Sequence, residues 1–233
     1  MELVPHAAAV IVAAGRSERM GGAVCKPFLE IAGRSLLEHA CAAFASVAAV
    51  REVVLVVHAD DVDRVRALGL LKVTAVVPGG AERTDSVRAG VAALPSGAEV
   101  ALVHDAARPL VRPATIEAAI ATAAREGAAL VAVPVRDTLK SSPDGRRAVA
   151  TIDRSTVWAA QTPQAFRTSV LRELLERARR ESVTATDDAA LHERYLGPIA
   201  LVRGDESNIK VTTPEDLAIA EAILSRRRSE AQA

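Results

Sequence analysis

Residues Ala9 to Ala13 read AVIVA, and from Ala13 to Lys26 the chain continues AAGRSERMGGAVCK. An unbroken apolar run of this kind suits a strand covered on both faces, and the small-residue loop that follows lies at its carboxyl end, where open α/β sheets bind ligands. Further runs at Glu52 to Val57, Val73 to Val77, Val100 to Val103 and Ala129 to Val133 have the same character, with helix-length stretches between them. That alternation predicts repeated βαβ units, an α/β fold with a mostly parallel sheet flanked by helices. Ser35 with Glu38 forms a capping box, and Leu37, Cys41 and Phe44 then recur at helical spacing. Thr84 and Asp85 suit a helix start. Thr213, Pro214 and Asp216 open a last helix whose Leu217, Ala220 and Leu224 stripe should dock on the sheet. Arg226, Arg227 and Arg228 are expected to form a fraying, solvated tail. Between about residues 135 and 154 a polar segment, Val135 to Arg154, separates two short β-prone pieces and predicts a projecting β-hairpin arm.

The chain has 233 residues, a length that α/β sheets often reach as one unit, and no linker or repeat divides it, so 1–233 is expected to be a single domain. Only five residues are aromatic, so Ala, Val, Leu and Ile must build the core. Twenty-nine basic and twenty-nine acidic side chains cancel, which disfavours nucleic acid or a membrane surface as partner. Two cysteines, Cys25 and Cys41, cannot make a disulfide framework, and the five histidines lack ligand spacing for zinc. The N-terminal segment lacks a signal peptide's charge pattern, and the apolar stretch there is far short of the ~20 residues needed to span a bilayer. The expected location is cytoplasmic.

The glycine loop does not have the spacing of a dinucleotide fingerprint or of a Walker loop. It does combine small residues, whose backbone N–H groups can approach a phosphate, with two fixed cations, Arg19 and Lys26. That pairing suits a triphosphate.

The string from Ala13-Ala14-Gly15 through Arg19-Met20 to Lys26 resembles the signature of sugar-phosphate nucleotidyltransferases. Six later strings narrow the resemblance: Gly79-Gly80-Ala81-Glu82-Arg83-Thr84-Asp85-Ser86, His104 to Pro109, Pro134 to Thr138, Thr162-Pro163-Gln164, Thr186-Asp187-Asp188 and Asn208 to Thr212. In order and spacing they are similar to the 2-C-methyl-D-erythritol 4-phosphate cytidylyltransferases over nearly the whole chain. The resemblance implies a Rossmann-like fold and a reaction in which an acceptor phosphate attacks the α-phosphorus of CTP and pyrophosphate leaves. It also implies Mg²⁺ held mainly through the triphosphate.

By the same resemblance, Arg19 and Lys26 stabilise the transition state, while Arg154 and Lys210 orient the attacking phosphate. Ala13, Ala14, Gly15, Gly80 and Ser86 belong to the nucleotide pocket, and Asp105 orients a magnesium-bound water or a ribose hydroxyl. Ala106, Arg108, Thr138, Thr162 and Thr186 line the polyol phosphate pocket. The hairpin resembles a dimerisation arm that brings Thr138 and Arg154 toward a neighbouring site, so a homodimer is expected. Two departures stand out: Ser17 replaces a common loop glycine, and Ala81 stands where an acidic residue is frequent. A ribitol 5-phosphate cytidylyltransferase would share the fold, loop and CTP site. A non-catalytic nucleotide sensor is the alternative from another class, and such a relic should have lost phosphate-contacting cations that are retained here.

Overall fold

Side chains alternate across the central strands so strictly that each strand feeds two separate cores. The structure, a computed structural model, describes residues 5–15 and 26–232. The first strand, β1 (Ala7–Ala13), sends Ala7, Ala9 and Ile11 to one apolar cluster and Ala8 and Val10 to another. This is the period-2 geometry of a strand buried on both faces, and it explains why AVIVA reads as a continuous apolar run. A short hairpin follows, β2 (Glu30–Ile31) with β3 (Arg34–Ser35), and leads into α1 (Leu36–Ala45). The expected capping box is present: Ser35 Oγ accepts from Glu38 N at 3.2 Å, and the Glu38 carboxylate accepts from Ser35 N at 2.9 Å. Next come β4 (Val50–Val57), α2 (Val62–Ala67), β5 (Val73–Pro78), α3 (Arg83–Ala92), β6 (Val100–Asp105) and α4 (Pro113–Glu126). The chain continues with β7 (Ala128–Pro134), β8 (Leu139–Ser141), β9 (Ala150–Ile152), β10 (Trp158–Arg167), α5 (Thr168–Arg180) and α6 (Asp188–Leu196). It closes with β11 (Ala200–Arg203) and α7 (Pro214–Gln232).

Seven strands form one sheet in the order β11-β7-β10-β6-β1-β4-β5. All pair in parallel except β10, which runs antiparallel to both β6 and β7. Helices α1 and α4 cover one face, through Leu37, Phe44, Ile116 and Ile120, while α3 and α5 cover the other through Val87, Val91, Leu171 and Leu174. All five predicted strands are present. After β1 the chain moves out to β4 and β5 on one side and then crosses to β6 on the other, so the carboxyl ends of β1 and β6 form the topological switch point.

Two expectations change. The α7 stripe does not reach the sheet: Leu217, Ala220 and Leu224 pack with Ile31, Leu36, Leu110 and Val211 in a satellite cluster. The basic triplet is not a frayed tail either, because α7 continues through it. Arg227, with 18% of its side chain exposed, donates to Leu110 O at 2.8 Å and to Ser207 Oγ at 2.5 Å. The expected hairpin is formed by β8 and β9, paired from Leu139↔Ile152 to Ser141↔Ala150, and every residue of β9 is exposed.

Candidate active site

The switch point opens into a cleft of about 650 Å³. Its floor is the end of β1, where Val12 pairs with Asp105 of β6 and Ala106 N donates to Val12 O at 3.0 Å. One wall is the turn from β5 into α3. Here the chain passes so close to β1 that a Cβ on Gly79 would lie 2.3 Å from Ala14 Cβ, so only glycine fits without displacement. Ser86 Oγ accepts from Gly80 N at 3.1 Å and donates to Glu82 O at 3.2 Å, which fixes that turn.

Of the residues expected from the sequence, the cleft brings together Ala13, Ala14, Gly15, Lys26, Gly80, Ser86, Asp105, Ala106 and Lys210. Arg19 lies outside the described residues, as do Ser17 and Cys25. Thr162 and Arg108 lie directly behind the lining. Thr162 Oγ1 accepts from Asp105 N at 3.2 Å and shares a 2.9 Å hydrogen bond with His104 Nδ1, while Arg108 donates to Asn208 O and Ala160 O at 2.8 and 3.2 Å. The Nε of Arg108 is buried and has no hydrogen-bond partner among the described residues. Thr186, Thr138 and Arg154 are exposed and are not among the lining residues. Arg154 and Thr138 belong to the arm, where the Arg154 guanidinium donates to Arg136 O.

Among the described residues, three cations converge on the cleft: Lys26, Arg83 and Lys210. Lys210 Nζ donates to Asp105 Oδ2 at 2.7 Å, and Arg83 approaches Asp105 Oδ1 at 3.5 Å. Burial works to raise the Asp105 pKa, but Lys210 and Arg83 outweigh it and hold the carboxyl below its ordinary value. Arg83 and its buried partner Asp188, at 2.9 Å, were not singled out from the sequence. The available signal was Arg83's place in the Gly79–Ser86 string.

Behind Asp105, His104 is fully buried against Phe44, with ring centroids 4.8 Å apart. Burial pushes its pKa down to about 4, so it is neutral at pH 7. Arg108 O can only accept, so the neutral ring carries its hydrogen on Nε2 and donates it there at 3.0 Å, and His104 Nδ1 accepts the Thr162 hydroxyl hydrogen. Lys210 is positioned by the segment before α7: Asn208 Nδ2 donates to Thr162 O at 2.9 Å and Val211 N to Ala107 O at 2.8 Å. Among the described residues no three His, Cys, Asp or Glu side chains converge to hold a metal ion. No helix among them is long and apolar enough to cross a membrane.

Residues 7–226 match the family model described as IspD, 2-C-methyl-D-erythritol 4-phosphate cytidylyltransferase. The chain belongs to that family. It is therefore an enzyme of the nucleotidyltransferase class, a cytidylyltransferase. A relative of that name from Pelotomaculum thermopropionicum is 43% identical over 226 residues, covering 95% of each chain. The bifunctional enzyme IspD/IspF of Desulforudis audaxviator is 48% identical over 222 residues, which is 93% of this chain and 56% of that protein. Among solved structures, 4-diphosphocytidyl-2C-methyl-D-erythritol synthase from Anaerococcus prevotii superposes with a TM-score of 0.84 at 30% identity, covering 95% of this chain and 97% of that one. The 2-C-methyl-D-erythritol 4-phosphate cytidylyltransferase of Thermus thermophilus superposes with a TM-score of 0.76 at 36% identity, covering 92% and 97%.

Proposed function

We propose that this chain carries out its family's reaction with the residues gathered at the β1/β6 switch point. A phosphate oxygen of 2-C-methyl-D-erythritol 4-phosphate attacks the α-phosphorus of CTP. The bond from that phosphorus to the β-phosphate bridging oxygen breaks, and pyrophosphate leaves with the electron pair. The products are 4-diphosphocytidyl-2-C-methyl-D-erythritol and pyrophosphate, in the non-mevalonate route to isoprenoid precursors. The observation that carries this reading is the convergence of Lys26, Arg83 and Lys210 on a cleft lined by the small residues Ala13, Ala14, Gly15 and Gly80.

The chemistry asks for positive charge and position. The attacking phosphate is ionised near neutral pH, so a general base adds little, and the work lies in holding two anions together and neutralising charge as it builds on the phosphoryl oxygens. Lys26 is assigned to the triphosphate, together with Arg19, and Lys210 to the attacking phosphate. Main-chain groups at Ala13, Ala14 and Gly80, with Ser86, read the cytosine, and Asp105 takes a ribose hydroxyl or a metal-bound water. Arg108, whose buried Nε has no partner among the described residues, Ala106 and Thr162 are assigned to the acceptor side. Thr186 belongs to the same side, at the approach to α6.

The donor set fits a divalent ion that arrives on the nucleotide: the cleft is lined by two carboxyl side chains, Asp105 and Glu82, and no three ligands converge among the described residues. We assign the ion as magnesium, held chiefly by triphosphate oxygens, where it would draw off negative charge. The arm is assigned to a homodimer in which Thr138 of the partner subunit and Arg154 of the partner subunit complete the acceptor pocket. Support comes from the exposure of Val149 (66%), Ile152 (42%) and Trp158 (38%) on and beside it.

The test is to incubate the protein with CTP, Mg²⁺ and either methylerythritol phosphate or ribitol 5-phosphate, following pyrophosphate release. Turnover with methylerythritol phosphate is expected; turnover with ribitol phosphate alone would reject the assignment.

A further inference from the structure

The polar chain that starts on the cleft wall reaches further than the reaction strictly requires. It runs from Lys210 through Asp105 and Arg83 to Asp188, and only its first two members have been given contacts with substrate. Arg83 stands in the first turn of α3, where the helix dipole disfavours a cation. Two carboxylates offset that cost: Nη1 donates to Asp188 Oδ2 at 2.9 Å, and Nη2 lies 3.5 Å from Asp105 Oδ1. Burial works against the Arg83 charge, but these carboxylates outweigh it and raise the guanidinium pKa.

Asp188 is an unusually firm anchor. Its side chain is 1% exposed, and Gln164 Oε1 accepts from Asp188 N and Ala189 N at 3.0 and 2.8 Å. Gln164 Nε2 in turn donates to Asp187 Oδ2 at 2.8 Å, so β10 holds the start of α6 from both sides. Lys210 is the looser partner of Asp105, with 46% of its side chain exposed against 25% for Arg83. When Lys210 turns to a phosphate, Asp105 would face a polyanion with one counter-charge removed.

We propose that Arg83 is a positioning residue: clamped by buried Asp188, it holds the Asp105 carboxylate in place for the nucleotide and frees Lys210 to leave Asp105 for the attacking phosphate. This rests on the reaction assigned above. A guanidinium suits the task because its fork spans two carboxylates in fixed geometry, which an ammonium cannot do.

The test is a cycle read by equilibrium binding of Mg·CTP and by steady-state kinetics in wild type, Arg83→Gln, Asp105→Asn and the double variant, with Arg83→Lys alongside. Losing a charge-assisted contact predicts that R83Q weakens CTP binding and raises KM for CTP by about tenfold, with a smaller change in kcat. R83K should recover part of the loss. In the D105N background R83Q should add less than about twofold, because the two act through one contact. Wild-type affinity in R83Q would overturn the proposal, and so would a full tenfold loss on top of D105N, since that is the mark of a merely structural residue. If R83Q does not fold, R83K carries the same cycle: a few-fold loss that vanishes in D105N is expected, and wild-type affinity would be fatal. A wild-type protein that binds Mg·CTP but releases no pyrophosphate would defeat the assigned reaction while leaving the binding cycle readable.

Discussion

The cleft and the hairpin arm both carry charged side chains, and they hold them in opposite ways. At the cleft, Lys210 meets Asp105 and Arg83 meets Asp188, each across 105 residues of sequence, while Thr162 of β10 is tied to His104 of β6 and to Asn208 before α7. On the arm the contacts are local: Lys140 Nζ donates to Thr151 Oγ1, Arg146 N and Arg147 N to Asp144, and Arg154 to Arg136 O. The Arg136–Glu206 ion pair ties its base to the body. The cleft's charges are thus fixed by the fold of one chain before any ligand arrives, whereas among the described residues the exposed Arg154 and Thr138 have no contact that aims them at the cleft. That difference supports placing the arm's function across a subunit boundary, and it can be attacked from either side.

The largest effect should come from the cleft. Replacing Lys26 with Ala removes one donor to the developing phosphoryl charge, a loss of roughly 3 kcal/mol or ~100-fold in kcat, with a smaller change in CTP affinity. Single-turnover measurement of pyrophosphate release checks it. An unchanged kcat would mean that the reacting phosphates lie elsewhere.

The preformed wall also has a pH signature. His104 is buried with its pKa down at about 4 against an ordinary 6.5. The unfolded chain takes up the proton first, so this group's contribution to stability is complete above about pH 6.5 and is lost as pH falls toward 4. At pH 4.5 the loss should be about 2–3 kcal/mol, from roughly 1.4 kcal/mol per pH unit. Urea unfolding at pH 7 and 4.5 in wild type and His104→Gln isolates it: the variant's pH difference should be smaller by that amount. Equal differences would show that His104 is not held neutral.

Gly79 tests how closely the cleft's two walls fit. A methyl group there would lie 2.3 Å from Ala14 Cβ and 2.8 Å from Ser86 Oγ. Gly79→Ala should cost about 1–3 kcal/mol of stability through overpacking and should weaken CTP binding, since the shift falls on the nucleotide wall. Thermal unfolding with and without CTP reports both; a variant with wild-type stability and affinity would mean the walls give way freely.

How much of this was legible in the sequence follows the same division between local and distant contacts. β1, the Ser35–Glu38 capping box and the arm are local patterns, and all three are present as read. Strand β10 escaped because its buried residues Gln161, Thr162 and Gln164 are polar and Pro163 interrupts them, so no apolar period marks it. Those same residues are buried because they hold Asp205, His104 and α6 by hydrogen bonds. Arg83 and Asp188 looked like ordinary charges at helix starts, and only the packing of α3 against the start of α6 gives them a shared role. The α7 stripe was visible, but its partner was not, because the β2–β3 hairpin that receives it is too short to announce itself.

The smallest effect on stability, and the sharpest test of the contrast, belongs to Arg154. It is exposed and donates to a neighbouring carbonyl of the arm, so Arg154→Ala should shift unfolding by no more than about 0.5 kcal/mol. Turnover should nevertheless fall, because under the proposed dimer this side chain serves the other subunit's acceptor phosphate. Mixing Arg154→Ala chains with Lys26→Ala chains separates the possibilities. In a mixed dimer one site lacks both groups and the other has both if Arg154 acts across the interface, so activity should reappear on mixing. If Arg154 serves its own chain, each site lacks one group and mixing restores nothing. Recovery that scales with the fraction of mixed dimers, measured by differential tagging, would assign the arm to the neighbouring site. No recovery from a mixture confirmed to contain such dimers would return Arg154 to its own cleft.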